Sequence, residues 1–276
     1  MESKRGSAWA DIGVLAAILF GATLTAGGVV AGFTVSGTEH IHGATLFTVY
    51  TVQFVLAIVG GYVWLKLGKG SDSKFSLRLG VSWADGPLIL SGIVVATAAG
   101  IVIEPLLGAM PEHYIERLNE MIGHGGWAII TTVVAAPIFE EIFFRGMVLE
   151  GLARRWAARW AVLGSAALFG LVHLPILPQM VNAFVIAIIM GYIYLIPRSL
   201  IPVIVIHAIN NGLAYLILEF RGSQGVDTRD LIGNDTIYLV VYAVSAVVMV
   251  VSLVVMNAKV RTKTARDTLK EKTADE

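Results

Sequence analysis

The stretch PIFEEIFFRG, Pro137–Gly146, places two glutamates and an arginine inside an apolar segment that covers about residues 126–151. A segment of this length is typical of a membrane-crossing helix, because a hydrocarbon core about 30 Å thick requires ~20 residues. Each charge at mid-bilayer costs roughly 2.5–3.5 kcal/mol on an insertion scale. We therefore expect these three charges to be paired, to face the inside of a helix bundle, and to mark a functional site.

The rest of the chain is also typical of a membrane protein. Of its 276 residues, 56% are hydrophobic and 14% are charged, against about 25% charged in soluble domains, and the mean hydropathy is +0.76. No run alternates with the two-residue period of a barrel strand, so the spans are predicted to be helices. We predict an all-α integral membrane protein, one membrane domain over residues 1–276 built as a bundle of about eight transmembrane helices. The predicted spans are about 10–33, 43–67, 86–107, 126–151, 159–175, 178–197, 199–219 and 235–257.

The basic residues predict the orientation of this bundle. Of the 20 Lys and Arg, 16 fall on one side of an eight-helix arrangement and 3 on the other, and Arg145 lies inside the membrane. Because Lys and Arg are enriched in cytoplasmic loops, we predict a multi-pass protein of the cell membrane with both termini in the cytoplasm. The tail, residues 258–276, is basic and is expected to be a short solvated or headgroup-contacting end.

Composition also excludes several classes of site. The chain contains no cysteine, so it has no disulfide framework, no thiolate nucleophile and no Cys-ligated metal. Basic residues outside the loops and the tail form no patch, and we expect no nucleic-acid partner. The expected partner from composition is membrane lipid.

The polar residues within the fourth span have helical spacings that indicate their partners. Glu141 and Arg145 are four residues apart, so they share one face of a helix and are predicted to form an ion pair. Glu140 is turned about 100° around the same helix and remains available for another contact. Pro137 removes one backbone donor just before the glutamates, so we expect a kink there.

Two later spans carry polar residues at the same four-residue spacing. His207 and Asn211 share one helix face, and Phe169 is predicted to place its ring one turn below His173. Glu140 and His173 are each 14 residues from a cytoplasmic arginine, which is about 20 Å along a helix. We therefore expect these groups at similar depth in the membrane.

A carboxylate and an imidazole at matched depth can bind a water molecule and take its proton. A second imidazole and an amide can donate hydrogen bonds to the oxyanion of a tetrahedral intermediate. The same Glu and His side chains could instead hold a divalent metal such as zinc, with Glu140, His173 and His207 as the candidate ligands, and the sequence leaves both readings open. No H-E-x-x-H motif is present, which argues against a zincin. No aspartate lies in the interior of a span, since Asp11 and Asp85 are at span ends, which argues against an aspartyl dyad.

The order of these motifs resembles the CPBP family, also called the Abi or CAAX-protease family, which includes the type II CAAX prenyl endopeptidases. The three motifs are E-E-x-x-x-R, F-x-x-x-H and H-x-x-x-N on successive helices, within about residues 126–219. The resemblance implies a membrane-embedded glutamate- or metal-dependent endopeptidase whose substrate partner is a peptide or a lipidated protein. Some members release the last three residues of a prenylated C-a-a-X protein. It implies that Glu140 and His173 activate water and that His207 and Asn211 stabilise the oxyanion. Glu141, Arg145 and Phe169 are implied to support the site.

Two other functions are consistent with the same residues. A proton- or ion-coupled transporter would use Glu140 and His173 as a relay, although the chain shows no internal repeat. A non-catalytic bacteriocin-immunity or peptide-binding protein would keep the motifs without hydrolysis. The remaining histidines, His40, His42, His113 and His124, are expected to lie in loops, and the segment 111–126 is expected to form a short outer helix.

Overall fold

A computed structural model describes residues 2–35, 43–67, 77–108, 122–174, 177–221 and 228–274 of the chain. Within these ranges the secondary structure is helical and includes no β-strand. Short helices also occur at Trp83–Asp85 and Thr228–Ile232. The long helices are α1 (Glu2–Val35), α2 (Gly43–Leu67), α3 (Gly86–Gly108), α4 (Gly125–Ala153), α5 (Ala158–Leu171), α6 (Leu177–Leu195), α7 (Leu200–Arg221) and α8 (Asp235–Ala274).

These helices coincide with the predicted spans, and the all-α membrane fold is confirmed. Seven of them are long and apolar enough to cross a membrane. The exception is α5, whose 14 residues extend about 21 Å. It ends at Leu171, four residues before the predicted end, and the chain continues in a turn in which the His173 amide donates to the Gly170 carbonyl at 2.9 Å. Leu174 precedes a proline, whose ring disfavours helical backbone at the preceding residue.

The residues fall into two compact units. The first contains α1, α2, α4 and the part of α7 from His207 onward. Asp11 of α1 joins two helices of this unit and the turn after α4. It accepts a hydrogen bond from Trp64 of α2 at 3.2 Å and forms an ion pair with Arg155 in that turn. Gly61 of α2 permits close packing, since a Cβ atom there would lie 2.9 Å from Leu15 of α1.

The second unit contains α3, α5, α6, α8 and the beginning of α7. Gly170 of α5 lies against α6, where an added Cβ atom would meet the Met180 carbonyl oxygen at 3.0 Å and the Phe184 Cβ at 3.1 Å. The link between α6 and α7 is short because Arg198 takes a left-handed conformation (φ 54°). Its amide donates to the Tyr194 carbonyl at 2.8 Å, which caps the end of α6.

The last helix, α8, is longer than the sequence pattern predicts. The predicted span stops near residue 257, whereas the helix has 40 residues and reaches Ala274, a length of about 60 Å. The tail was expected to be a solvated end, and its backbone is helical. Residues 258–274 contain neither Gly nor Pro, and more than half of them are Lys, Arg or Ala, which are good helix formers.

Candidate active site

Helix α4 is irregular on both sides of its two glutamates. It is π-helical over Ile130–Ala135 and over Ile142–Leu149, with one α-helical segment, Ala136–Glu141, between them. Wide turns of this kind occur frequently at functional sites. Pro137, where the sequence predicts a kink, follows the first π-helical segment directly, and the Ala136 amide donates to the Thr131 carbonyl five residues back.

Glu141 is the centre of a buried ionic group. Its side chain has no exposed surface, and Arg145, at 2% exposure, donates to Oε1 at 3.0 Å. The predicted ion pair is therefore present. The same oxygen contacts Nδ1 of His207 at 2.8 Å, a contact that joins α4 to α7 and that the sequence analysis missed. Spacing along one helix carries no information about which neighbouring helix supplies a second partner.

The contact with Glu141 determines the orientation of the His207 ring. An ionised carboxylate only accepts hydrogen bonds, so Nδ1 of His207 must carry the proton and donate it. The opposite nitrogen, Nε2, then lies 3.8 Å from Oε2 of Glu140. His207 thus lies between the two glutamates, with its side chain 7% exposed and that of Glu140 13% exposed.

The other oxygen of Glu140 has a partner on a different helix. The hydroxyl of Tyr50, on α2, donates to Oε1 of Glu140 at 2.7 Å. The sequence analysis did not identify Tyr50, because one hydroxyl in an apolar span is compatible with many orientations. The one feature of the sequence that could have pointed to Tyr50 is its hydroxyl group, which lies in a segment rich in apolar residues.

Asn211 contacts the backbone of α4. Its side-chain amide donates to the Thr132 carbonyl oxygen at 3.0 Å. In the π-helical pattern that carbonyl would accept from residue 137, five positions later, and a proline there has no N–H to give. Asn211 therefore supplies a donor that Pro137 lacks. One N–H of the amide group remains for another acceptor.

Phe169 and His173 belong to the second unit. Their ring centroids are 5.0 Å apart and the rings are tilted by 45°, so the aromatic ring lies next to the imidazole, as the four-residue spacing predicts. Nδ1 of His173 donates to the Phe169 carbonyl at 2.8 Å, since a carbonyl oxygen only accepts. The imidazole is half-buried at the end of α5, and Phe169 is buried.

The described residues do not form the ligand set of a resident metal. Zinc in proteins takes three or four ligands from Cys, His, Asp and Glu. In the ranges that the structure describes, no group of three or more such side chains is arranged so that it could hold a metal ion. Oε2 of Glu140 lies 3.8 Å from Nε2 of His207, while Oε1 of Glu141 already accepts from Arg145 and from Nδ1 of His207. We therefore assign no chemical step to a metal.

The other histidines named in the sequence analysis lie apart from this group. His40, His42 and His113 are outside the described residues, as is most of the segment expected to form an outer helix. His124 is exposed just before α4, and its Nδ1 lies 2.9 Å from a carboxylate oxygen of Glu219 beyond the apolar part of α7. That contact lowers the pKa of Glu219.

Comparison with known families gives a match over the part of the chain that contains these motifs. Residues 123–213 match the family described as Type II CAAX prenyl endopeptidase Rce1-like. Searches of curated proteins and of solved structures found no match. The matched segment includes α4, α5, α6 and the polar part of α7. Residues 123–213 are therefore similar to the Rce1-like type II CAAX prenyl endopeptidases, as the order of the motifs predicts, and the chain is a multi-pass membrane protein.

Proposed function

We propose that the chain is an intramembrane endopeptidase in which Glu140 is the base that activates water. The observation that carries this proposal is a group of three side chains in apolar helices, in which Glu141 and His207 are buried and Glu140, 13% exposed, lies beside His207. Buried charged groups inside a membrane are costly and are retained mainly where they act on a substrate or an ion. The catalytic core is the segment 126–219 within a single membrane domain.

In this mechanism a water molecule donates a hydrogen bond to Oε2 of Glu140. Glu140 takes the proton as the water oxygen attacks the peptide carbonyl, which forms a tetrahedral intermediate. Collapse of the intermediate breaks the C–N bond, and Glu140 returns the proton to the leaving amine. We propose His173 as a second group that orients the water, because it is the histidine of the F-x-x-x-H motif.

The oxyanion of the intermediate needs donors, for which we propose Asn211 and His207. Asn211 keeps one amide N–H beyond the one given to Thr132. Nδ1 of His207 donates to Glu141, so its Nε2 can donate only in the doubly protonated ring. The carboxylate of Glu141 is the counter-charge for such a ring, because Glu140 holds the proton from water while the oxyanion exists. Arg145 supports the site through Glu141, and Phe169 through His173.

The substrate that we propose to test first is a prenylated C-a-a-X peptide, which the matched family's description names. Wild type and Glu140→Gln would be purified in detergent and incubated with a farnesylated C-a-a-X peptide, and mass spectrometry would detect loss of the last three residues. Glu150→Gln is the matched control, because Glu150 is also a buried glutamate of α4 and is paired with Arg154 instead. We expect cleavage by wild type and Glu150→Gln and none by Glu140→Gln.

Other outcomes would assign the residues differently. Cleavage by Glu140→Gln at the wild-type rate would mean that another group is the base. Binding of the peptide without cleavage by wild type would support a non-catalytic peptide-binding protein. Proton-coupled uptake into liposomes, lost in Glu140→Gln, would support a transporter.

A further inference from the structure

Tyr50 lies on α2, outside the matched segment 123–213, yet it contacts the glutamate at the centre of the proposed mechanism. The donor–acceptor distance of 2.7 Å is typical of a strong O–H···O bond. Because the acceptor is a carboxylate, the bond is charge-assisted and stronger than one between neutral groups. The contact joins residues 90 positions apart, so it depends on how α2 packs against α4.

The ring of Tyr50 is itself held by an aromatic column. Phe54, one turn along α2 and 4% exposed, lies with its ring centroid 4.9 Å from that of Tyr50. Phe54 in turn stacks on Phe139, the residue before Glu140, at 6.5 Å and 14°. Offset aromatic contacts at these distances are favourable. The hydroxyl of Tyr50 is therefore presented to Glu140 by packed rings on both helices.

Because of this contact, the two carboxylate oxygens of Glu140 have different neighbours. Oε1 accepts from Tyr50 while Oε2 faces His207. Rotation about the last bond of the side chain would exchange them, and χ3 of glutamate is a broad torsion with little intrinsic preference. We propose, resting on the function above, that Tyr50 is a positioning residue that locks this torsion and presents Oε2 of Glu140 to the water molecule. Tyr50 need not touch the substrate.

The test is Tyr50→Phe, which removes only the hydroxyl and keeps the aromatic column. Loss of a positioning bond lowers turnover without changing substrate affinity, so we expect kcat to fall about 10- to 100-fold with KM within about twofold of wild type. Tyr62→Phe is the matched control, because Tyr62 lies on the same helix and is 46% exposed. Its kcat is expected to equal that of wild type. A kcat for Tyr50→Phe within twofold of wild type overturns the proposal.

A binding measurement separates positioning from substrate contact. In a Glu140→Gln background, the dissociation constant of the farnesylated peptide is expected to be unchanged by adding Tyr50→Phe. A dissociation constant raised tenfold or more would make Tyr50 a substrate-binding residue and would overturn the positioning role.

Thermal unfolding in detergent tests the hydrogen bond between Tyr50 and Glu140 without any need for activity. If wild type cleaves no peptide, the proposed peptidase function fails, but this measurement still applies. Tyr50→Phe is expected to lower Tm more in the wild-type background than in a Glu140→Met background, because only the first retains the acceptor. Equal shifts in the two backgrounds would show that the hydroxyl does not hold Glu140.

Discussion

At the scale of single residues, Glu141 is a fully buried carboxylate with two side-chain partners. Its Oε1 accepts from both Arg145 and His207, while Oε2 is buried without a hydrogen-bond partner among the described residues. A buried carboxylate is tolerated only when cations and donors compensate for its lost hydration. Arg145 is the permanent cation of this group, since its guanidinium stays protonated in proteins.

We predict that Arg145→Met destabilises the protein strongly. The substitution keeps much of the side-chain volume but leaves the Glu141 carboxylate without its cation, and removing one partner of a buried ion pair costs about 3–5 kcal/mol. The measurement is the free energy of unfolding in detergent. Arg229→Met is the control, because the Arg229–Asp235 pair is 56% and 71% exposed and such pairs contribute about 1 kcal/mol or less. Equal losses in both variants would contradict the prediction.

Some of these contacts were predictable from the sequence and others were not. The Glu141–Arg145 pair was predictable because both residues lie on one helix, whose geometry fixes positions four apart. The contacts of Glu141 with His207, of Glu140 with Tyr50 and of Asn211 with Thr132 were not predictable. Each depends on the rotation of one helix relative to another, which apolar periodicity in a membrane leaves undetermined.

At the scale of elements, α4 and α7 are joined where α4 lacks a backbone donor. Asn211 bonds the Thr132 carbonyl, and the next residue, Gly212, brings the helices close enough that a Cβ atom there would lie 3.6 Å from Val133. A side-chain amide thus completes a hydrogen-bond ladder that a proline interrupts, as neighbouring helices do in membranes.

This arrangement predicts coupling between Pro137 and Asn211. Asn211→Ala leaves the Thr132 carbonyl without its donor, which costs about 1–3 kcal/mol for a buried polar group. In a Pro137→Ala background the new backbone N–H can bond that carbonyl, so the cost of Asn211→Ala is expected to be smaller there. Unfolding free energies of the two single variants and the double variant give the coupling. Additive effects would show that the two residues act independently.

The contact of α5 with α6 gives a second prediction at this scale. Gly170→Ala would place a Cβ atom 3.0 Å from a backbone carbonyl and 3.1 Å from the Phe184 Cβ, neither of which is the end of a flexible side chain. We expect the helices to separate slightly, with a loss of about 1–3 kcal/mol in unfolding free energy.

The control for this variant is a helical glycine in open space. Gly100 of α3 has no atom within 4 Å of a built Cβ, so Gly100→Ala is expected to be neutral or stabilising by up to about 1 kcal/mol. A Gly170→Ala protein as stable as wild type would mean that α6 yields at this contact.

The elements themselves were largely predictable, for a physical reason. A bilayer imposes a minimum apolar length, so long apolar runs identified the membrane-crossing parts of α1 to α4 and α6 to α8. The end of α5 and the extension of α8 were missed. Hydropathy predicts which part of a helix can contact lipid. The end of α5 depends instead on hydrogen bonds within the turn that follows it, and the length of α8 depends on helix propensity outside the apolar run.

At the scale of the whole molecule, the distribution of Lys and Arg predicts that both termini are cytoplasmic. The absence of cysteine makes single-cysteine labelling a clean test. In intact cells a membrane-impermeant maleimide should label Asp230→Cys, between α7 and α8, and should not label Ala265→Cys, past the apolar part of α8. Permeabilised cells provide the control, in which both should react. Labelling of Ala265→Cys in intact cells would reverse the predicted orientation.

The length of α8 also has a practical consequence for imaging. A chain of 29.5 kDa that is mostly covered by a detergent micelle offers few features for aligning particles in electron microscopy. Because α8 runs without a break from Asp235 to Ala274, a helical scaffold protein fused in register after Ala274 would continue the same rod. The scaffold would then be a fiducial outside the micelle, rigidly coupled to the unit that contains α8.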